Sequence, residues 1–352
     1  MNVKEILIGL ALAISSGVAS AQRANNSYDV DVDFYGADGN YCVDTAITSG
    51  PNNYQYDLNV TPNQEVTQIV IRIPSYERPR QIDFYLSSIL SSVEVTIEGL
   101  DTANAPAFKD TLIMSGGGKL VIQSLKCNGI YDRLQASAIA SAQVYGDVGR
   151  INLIDGPVIN YITNMHIYGD VDNEISVADG WIESLTIDGV VGSPGNLVPI
   201  NVQRDSSQWT YIDFLQADAF YANITCGEPA DAAAGTGYIR SLIATGLTSG
   251  GSFNGSIYTH RLVADASHFP NTPDSVSIAG KFDGTMNITK WVNEPIYIGG
   301  ELTETSRITI GETLRDPDYY TTHSLPIPPA ISIDPADGLK GQIIVVGANS
   351  GL

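Results

Sequence analysis

"MHIYGDVDNEISVADGWIESLTIDGVVG", residues 165–192, holds one phrase twice: Ile167-Tyr168-Gly169-Asp170-Val171, then twenty residues later Ile187-Asp188-Gly189-Val190-Val191. In each copy apolar residues alternate with other residues and a glycine follows. Alternation at period two marks a strand with one buried face. A glycine directly after it marks a bend where a side chain would crowd the backbone. The fold therefore turns on whether these Asp-Gly pairs form a ligand site or the corners of a repeating chain.

Outward from this stretch the phrase apolar-x-apolar-x-Gly recurs. It ends at Gly99, Gly129, Gly146, Gly169, Gly189, Gly246, Gly280 and Gly300, with inward positions such as Val95 and Ile97, Leu125 and Cys127, and Val276 and Ile278. From Gly129 to Gly189 the steps are 17, 23 and 20, and Gly280 to Gly300 is again 20. The longer intervals of 57 and 34 mark coils with a replaced glycine or a longer loop. Helical spacing is confined to residues 133–143, which run into one of the phrases. Short strands returning at about twenty residues predict an all-β solenoid whose coils stack on one another. An antiparallel sandwich also has many short strands, but it does not require one phrase at one interval.

Stacking makes the repeat informative about single residues. Corresponding positions of adjacent coils lie about 4.8 Å apart, so Val144, Ile167 and Ile187 become rungs of an inward ladder. Cys127 is on such a rung and reads as a small buried hydrophobe rather than a reactive thiol. Cys42, Cys127 and Cys226 lie 85 and 99 residues apart, which is neither a disulfide framework nor a zinc spacing.

The N-terminus carries a different signal. Lys4, an apolar run from Ile6 to Val18 and then Ala19-Ser20-Ala21 read as a signal peptide over residues 1–21, so the mature chain is expected to be exported, to the exterior or the cell surface. Nothing later approaches 18 consecutive apolar residues, so no transmembrane segment is expected after cleavage. The net charge of −21 repels phosphate backbones and anionic lipid, which argues against nucleic acid and membrane-surface partners.

The residues that carry the phrase make the chain resemble the right-handed parallel β-helix superfamily, the pectin-lyase-like fold, over residues 64–312. Val32-Asp33-Phe34-Tyr35-Gly36-Ala37-Asp38-Gly39, followed by Asp44-Thr45-Ala46, is similar to the opening segment of polygalacturonase-type and phage tailspike β-helices. Those carry two adjacent Asp before the Thr, whereas Val43 stands in the first place here. The expected architecture is a single-stranded right-handed parallel β-helix of about twelve coils, roughly 60 Å long. An N-terminal cap over residues 22–63 precedes it, and a Pro-rich, irregular C-terminal arm with a final strand covers 313–352.

Several constellations are candidates for chemistry. Asp147 and Asp170 follow corner glycines in successive coils, and two stacked carboxylates hold either a cation, Ca²⁺ for an acidic exported protein, or a proton. Against this, aspartate is common at turns, and the third rung is Val190. Asp29, Asp31 and Asp33 share one strand face and are a second candidate metal site at the cap. They do not open an EF-hand, because Asn40 stands near the turn position and no Glu closes the loop.

The polygalacturonase resemblance implies an Asp pair, a Gly-His-Gly and an Arg-x-Lys, none of which occurs. For an enzyme on this fold the candidate catalytic residues are Asp155, His166, Asp170 and Arg150, the last as the catalytic Arg or Lys beside bound Ca²⁺ that a likeness to pectate lyases implies. Tyr145 over Tyr168 is the candidate glycan-stacking pair. Serine elbows, phosphate loops and His-x₃-His motifs are absent from the sequence. The expected function is a non-catalytic β-helix protein of the cell surface or extracellular matrix, in adhesion, glycan contact or a structural role. Its partners would be polysaccharide or cell-surface components, and no cofactor is required. The alternative is a Ca²⁺-dependent polysaccharide lyase or a glycoside hydrolase on the same fold.

Overall fold

All eight repeat phrases begin on β-strands, and the seven from Leu125 onward lie in one parallel sheet. The computed structural model describes residues 129–153, 159–203, 210–229, 237–262, 276–290, 292, 295–311, 331–333 and 339–346. Before these it describes the strands Asp31–Gly36, Thr45–Ser49, Tyr56–Val60, Val66–Arg72, Gln81–Leu86, Glu94–Glu98, Ala107–Phe108, Thr111–Gly116, Val121–Ile122 and Leu125–Cys127. Among the described residues there is no α-helix, and the helix-like spacing at 133–143 belongs to Gly129–Ala136 and Ala138–Val144, both strands.

Two long parallel sheets account for most of the strands. Sheet 1 contains Leu125–Cys127, Ala138–Val144, Asn160–Ile167, Leu185–Ile187, Gly237–Ala244 and their continuations. Sheet 2 contains Gly129–Ala136, Val148–Leu153, Val171–Ala178, Ala219–Cys226, Phe253–Thr259 and theirs. The chain alternates between the sheets, so one circuit is a strand in each, joined by the glycine corner. The pairing runs Leu125–Ala142–Met165–Leu185–Leu215–Leu242–Val276–Ile296–Ile331. By subtraction those circuits span 17, 23, 20, 30, 27, 34, 20 and 35 residues. The interval of about twenty is thus kept only in the shorter circuits. The gap of 57 between Gly189 and Gly246 hides one extra circuit, whose phrase reads Leu215-Gln216-Ala217-Asp218-Ala219 with no glycine. Extra length goes into connections; the pairing of sheet 2 itself shifts register between Ile130 and Arg133 and between Val148 and Arg150.

The core is a set of such ladders. In sheet 2 the rungs Leu134, Ile151, Ile175, Ile200, Ile224, Ile257, Met286, Ile308 and Ile343 pair in sequence. Beside it Phe220, Phe253 and Phe282 stack their rings inside, with centroids 5.8 and 5.5 Å apart. Each buried apolar side chain of this size contributes about 1.5–3 kcal/mol relative to exposure. Cys127 takes its rung fully buried, as its alternation requires.

The two ends differ. Near the start Asp31–Gly36 pairs antiparallel with Val66–Arg72, and Thr45–Ser49 antiparallel with Tyr56–Val60; the first parallel partner is Glu94–Glu98 on Val66–Arg72. At the other end Ile331–Ile333 and Gln342–Val345 add parallel strands to sheets 1 and 2, so the stack extends past residue 312.

The corner glycines are required by close approach. A Cβ on Gly189 would meet the Asp170 carboxylate and the Gly169 carbonyl carbon at 2.7 Å, and Gly169 meets the Gly146–Asp147 backbone in the same way. Gly189→Ala is therefore expected to destabilise the protein by about 1–3 kcal/mol, read as a lower denaturation midpoint at unchanged slope.

Candidate functional site

The register brings one predicted pair together. Val148 pairs with Val171, so the preceding residues Asp147 and Asp170 occupy the same corner of successive circuits. Both carboxylates have structural tasks. Asp147 Oδ1 accepts the Asp170 N–H at 2.9 Å, and Asp170 Oδ1 accepts the Val190 N–H at 2.7 Å. The main chain closes the same corner, with Tyr168 N–H donating to Val144 C=O and Asp188 N–H to Ile167 C=O, each at 2.8 Å. Asp at this place thus supplies an acceptor to the corner above it, and the series stops where Val190 brings no carboxylate. Asp172 joins them: burial, then the charges of Asp147 and Asp170, push its carboxyl above the usual range. Among the described residues no three His, Cys, Asp or Glu side chains are grouped to hold a metal ion.

His166 turns to Asp188, with Nε2 at 2.9 Å from Oδ1. Its ring also lies on Tyr168, centroids 3.9 Å apart, and Tyr168 stacks on Tyr145 at 5.1 Å. Tyr145 donates its hydroxyl to Gln143. Tyr168 carries both rings stacked against it and is still 41% exposed. Arg150 lies beyond the corner on sheet 2, where its Nε is 3.8 Å from Glu174 on the next circuit. The predicted catalytic set therefore divides among His166 with Asp188, Asp170 with Val190, and Arg150 with Glu174. Asp155 and Asp29 lie outside the described residues. Asp31 and Asp33 lie on the strand Asp31–Gly36, opposite Arg72 and Val70.

Two features escaped the sequence reading. Tyr161, Trp181, Tyr211 and Tyr238 form an outward ring ladder on sheet 1, with centroids 5.7, 5.4 and 5.1 Å apart and planes within 14°. Their separations of 20, 30 and 27 residues equal the circuit lengths, a signal hidden until the irregular circuits are known. Trp181 donates to Glu183 at 3.3 Å. Burial, then the charges of Asp213 and Glu183, raise the Tyr211 hydroxyl.

The second is Asp218, fully buried at the corner that lost its glycine. Its carboxylate accepts N–H groups from Thr248 at 3.0 Å and Ser249 at 2.6 Å, and the hydroxyls of Thr245 and Thr248. These bonds fasten the extended corner of the next circuit, where Gly246, Gly250 and Gly251 have positive φ. Burial acts to raise the Asp218 carboxyl, but the hydrogen bonds from Thr248 and Ser249 outweigh it and hold it well below the usual range. The visible sequence clue was Ala219 standing where the phrase has glycine.

A carboxylate depressed on folding stabilises the protein above its unfolded value of 3.8, and that contribution is lost as the pH falls below it. In Asp218→Asn an amide NH₂ would face N–H donors. The variant is expected to be about 1.5–3 kcal/mol less stable at neutral pH, with the difference shrinking as the pH falls below about 4; unfolding curves across pH measure this. Cys127 and Cys226 are free and buried, and burial pushes the Cys127 thiol up to about 12. Neither is expected to react with iodoacetamide in the native protein, and both should react once it is unfolded, as peptide mass mapping would read. No family model matches the chain, and comparison with curated proteins and with solved structures likewise found no match.

Proposed function

We propose that this is an exported, non-catalytic protein of the cell surface or matrix, built as one right-handed parallel β-helix of the pectin-lyase-like kind. Right-handedness rests on the strong preference of parallel crossovers for that sense. The observation that carries the functional reading is the employment of the polar side chains. Asp147 and Asp170 hold backbone N–H groups, His166 is engaged by Asp188, and Arg150 Nε lies 3.8 Å from Glu174. A hydrolase or lyase needs an acid and a base converging on one bond, whereas these groups join neighbouring circuits to one another.

One row on the outer face of sheet 2, beside charged residues such as Arg150, Glu174 and Arg307, favours contact over chemistry. One outward row reads Asn201, Thr225, Tyr258, Asn287 and Thr309, uncharged amides and hydroxyls one circuit apart. With a net charge of −21 such a face suits a neutral glycan better than an acidic one. A second reading, the Ca²⁺-dependent lyase, has one observation in its favour, the raised Asp172 carboxyl beside Asp147 and Asp170.

The test is a panel of neutral and acidic polysaccharides, with and without Ca²⁺, scored for binding and for products. Retention on neutral glycans with no new reducing ends or unsaturated sugars is expected. Product release that needs Ca²⁺ and is abolished by Asp170→Asn would establish the lyase instead.

A further inference from the structure

The structure assigns Arg133 and Arg150 as a two-guanidinium site for a tetrahedral oxyanion carrying one negative charge, of the sulfate-ester class. The inference goes beyond the glycan reading and does not rest on it, since what is recognised is the oxyanion group and not a sugar. The two arginines are register partners on neighbouring strands of sheet 2, so their backbones lie about 4.8 Å apart. Their chain neighbours Leu134 and Ile151 are buried in the core, which sends both arginine side chains into one outward row. Like charges held side by side on one face oppose folding, and no residue of the row stands between these two.

The chain has 39 acidic residues against 18 lysines and arginines, so carboxylates to pair with a cation are plentiful. Lys340 shows the ordinary outcome, with Nζ 2.8 Å from Glu301. Among the described residues no ion pair forms at Arg133. Arg150 Nε is 3.8 Å from Glu174 Oε2, beyond hydrogen-bond reach, and the two side chains are 33% and 30% exposed. Such a pair contributes little. The Nε–H of each arginine is closed off from water and meets no acceptor among the described residues. Each stem is therefore packed down on the sheet with its head fixed in place, and the Nη groups are left to face solvent. Gln135 and Asn152, two places on in the same strands and again register partners, set neutral amides beside the guanidiniums.

A guanidinium fork takes two oxygens in its own plane. A carboxylate has only two, and one fork uses both. A sulfate-type group has a further oxygen outside that plane, which the second fork on the next rung can reach. The charge of the ligand is limited from the other side. Glu174 is next in the row, and the whole chain carries −21. That field disfavours dianions and polyanions, which leaves a single monoanionic group on a neutral carrier.

Titration of the full chain labelled with ¹⁵N-arginine, read at the arginine Nε–H signals, tests the site. Methyl sulfate, acetate and inorganic sulfate are the probes, with ionic strength held constant by chloride because sulfate stabilises proteins in general. Methyl sulfate is expected to move two arginine signals along a saturating curve, and to bind more tightly than acetate or inorganic sulfate. Arg133→Gln should weaken methyl sulfate about tenfold. By removing the repulsion it should leave the denaturation midpoint in chloride no lower than that of the wild type. Arg133→Lys keeps the charge but loses the fork, and should weaken binding in the same way; it serves if the glutamine variant does not fold. Shifts that rise linearly without saturating, acetate or inorganic sulfate binding as tightly as methyl sulfate, or wild-type affinity in Arg133→Lys would each overturn the proposal.

Discussion

Register inherited from one strand to the next is the constraint on which the rest of this molecule depends. In a parallel stack each residue's direction is set by the residue it pairs with, and a slip of one position would turn the whole inward set outward. The chain obeys this from Leu134 to Ile343 through nine rungs, all isoleucine, leucine or methionine. Circuit length is free by comparison. A loop that doubles in length costs only about 0.6 kcal/mol of closure entropy, so circuits of 17 and 35 residues coexist in one sheet.

The same constraint explains the corners. Where two circuits turn together their backbones come too close for a Cβ, and the N–H groups of the turn need acceptors. Glycine answers the first need, and aspartate at the next position the second. Asp147 and Asp170 do this on regular corners, and Asp218, one place earlier in the phrase, accepts the N–H groups of an enlarged one. Part of the protein's acidity is therefore structural, carboxylates bonded to main chain rather than a coat awaiting cations.

This division also explains what could be read from the sequence. Alternation and corner glycines are local, so the strands, the inward rungs and the stacking of Asp147 near Asp170 were legible. Partners that reach across irregular circuits were not. The His166–Asp188 contact spans 22 residues, Thr248–Asp218 spans 30, and the ring ladder uses three different spacings. The last strands were missed as members of the stack because no glycine follows Ile331-Ser332-Ile333; Asp334-Pro335 comes instead. The phrase records corners, and where a corner is built differently the strand before it goes unannounced.

Trp181 sits between Tyr161 and Tyr211, its ring nearly parallel to both. Rings this close share excitation, so light absorbed by the three tyrosines of the ladder drains to one indole. The ladder makes Trp181 an internal optical gauge of whether those circuits remain in contact.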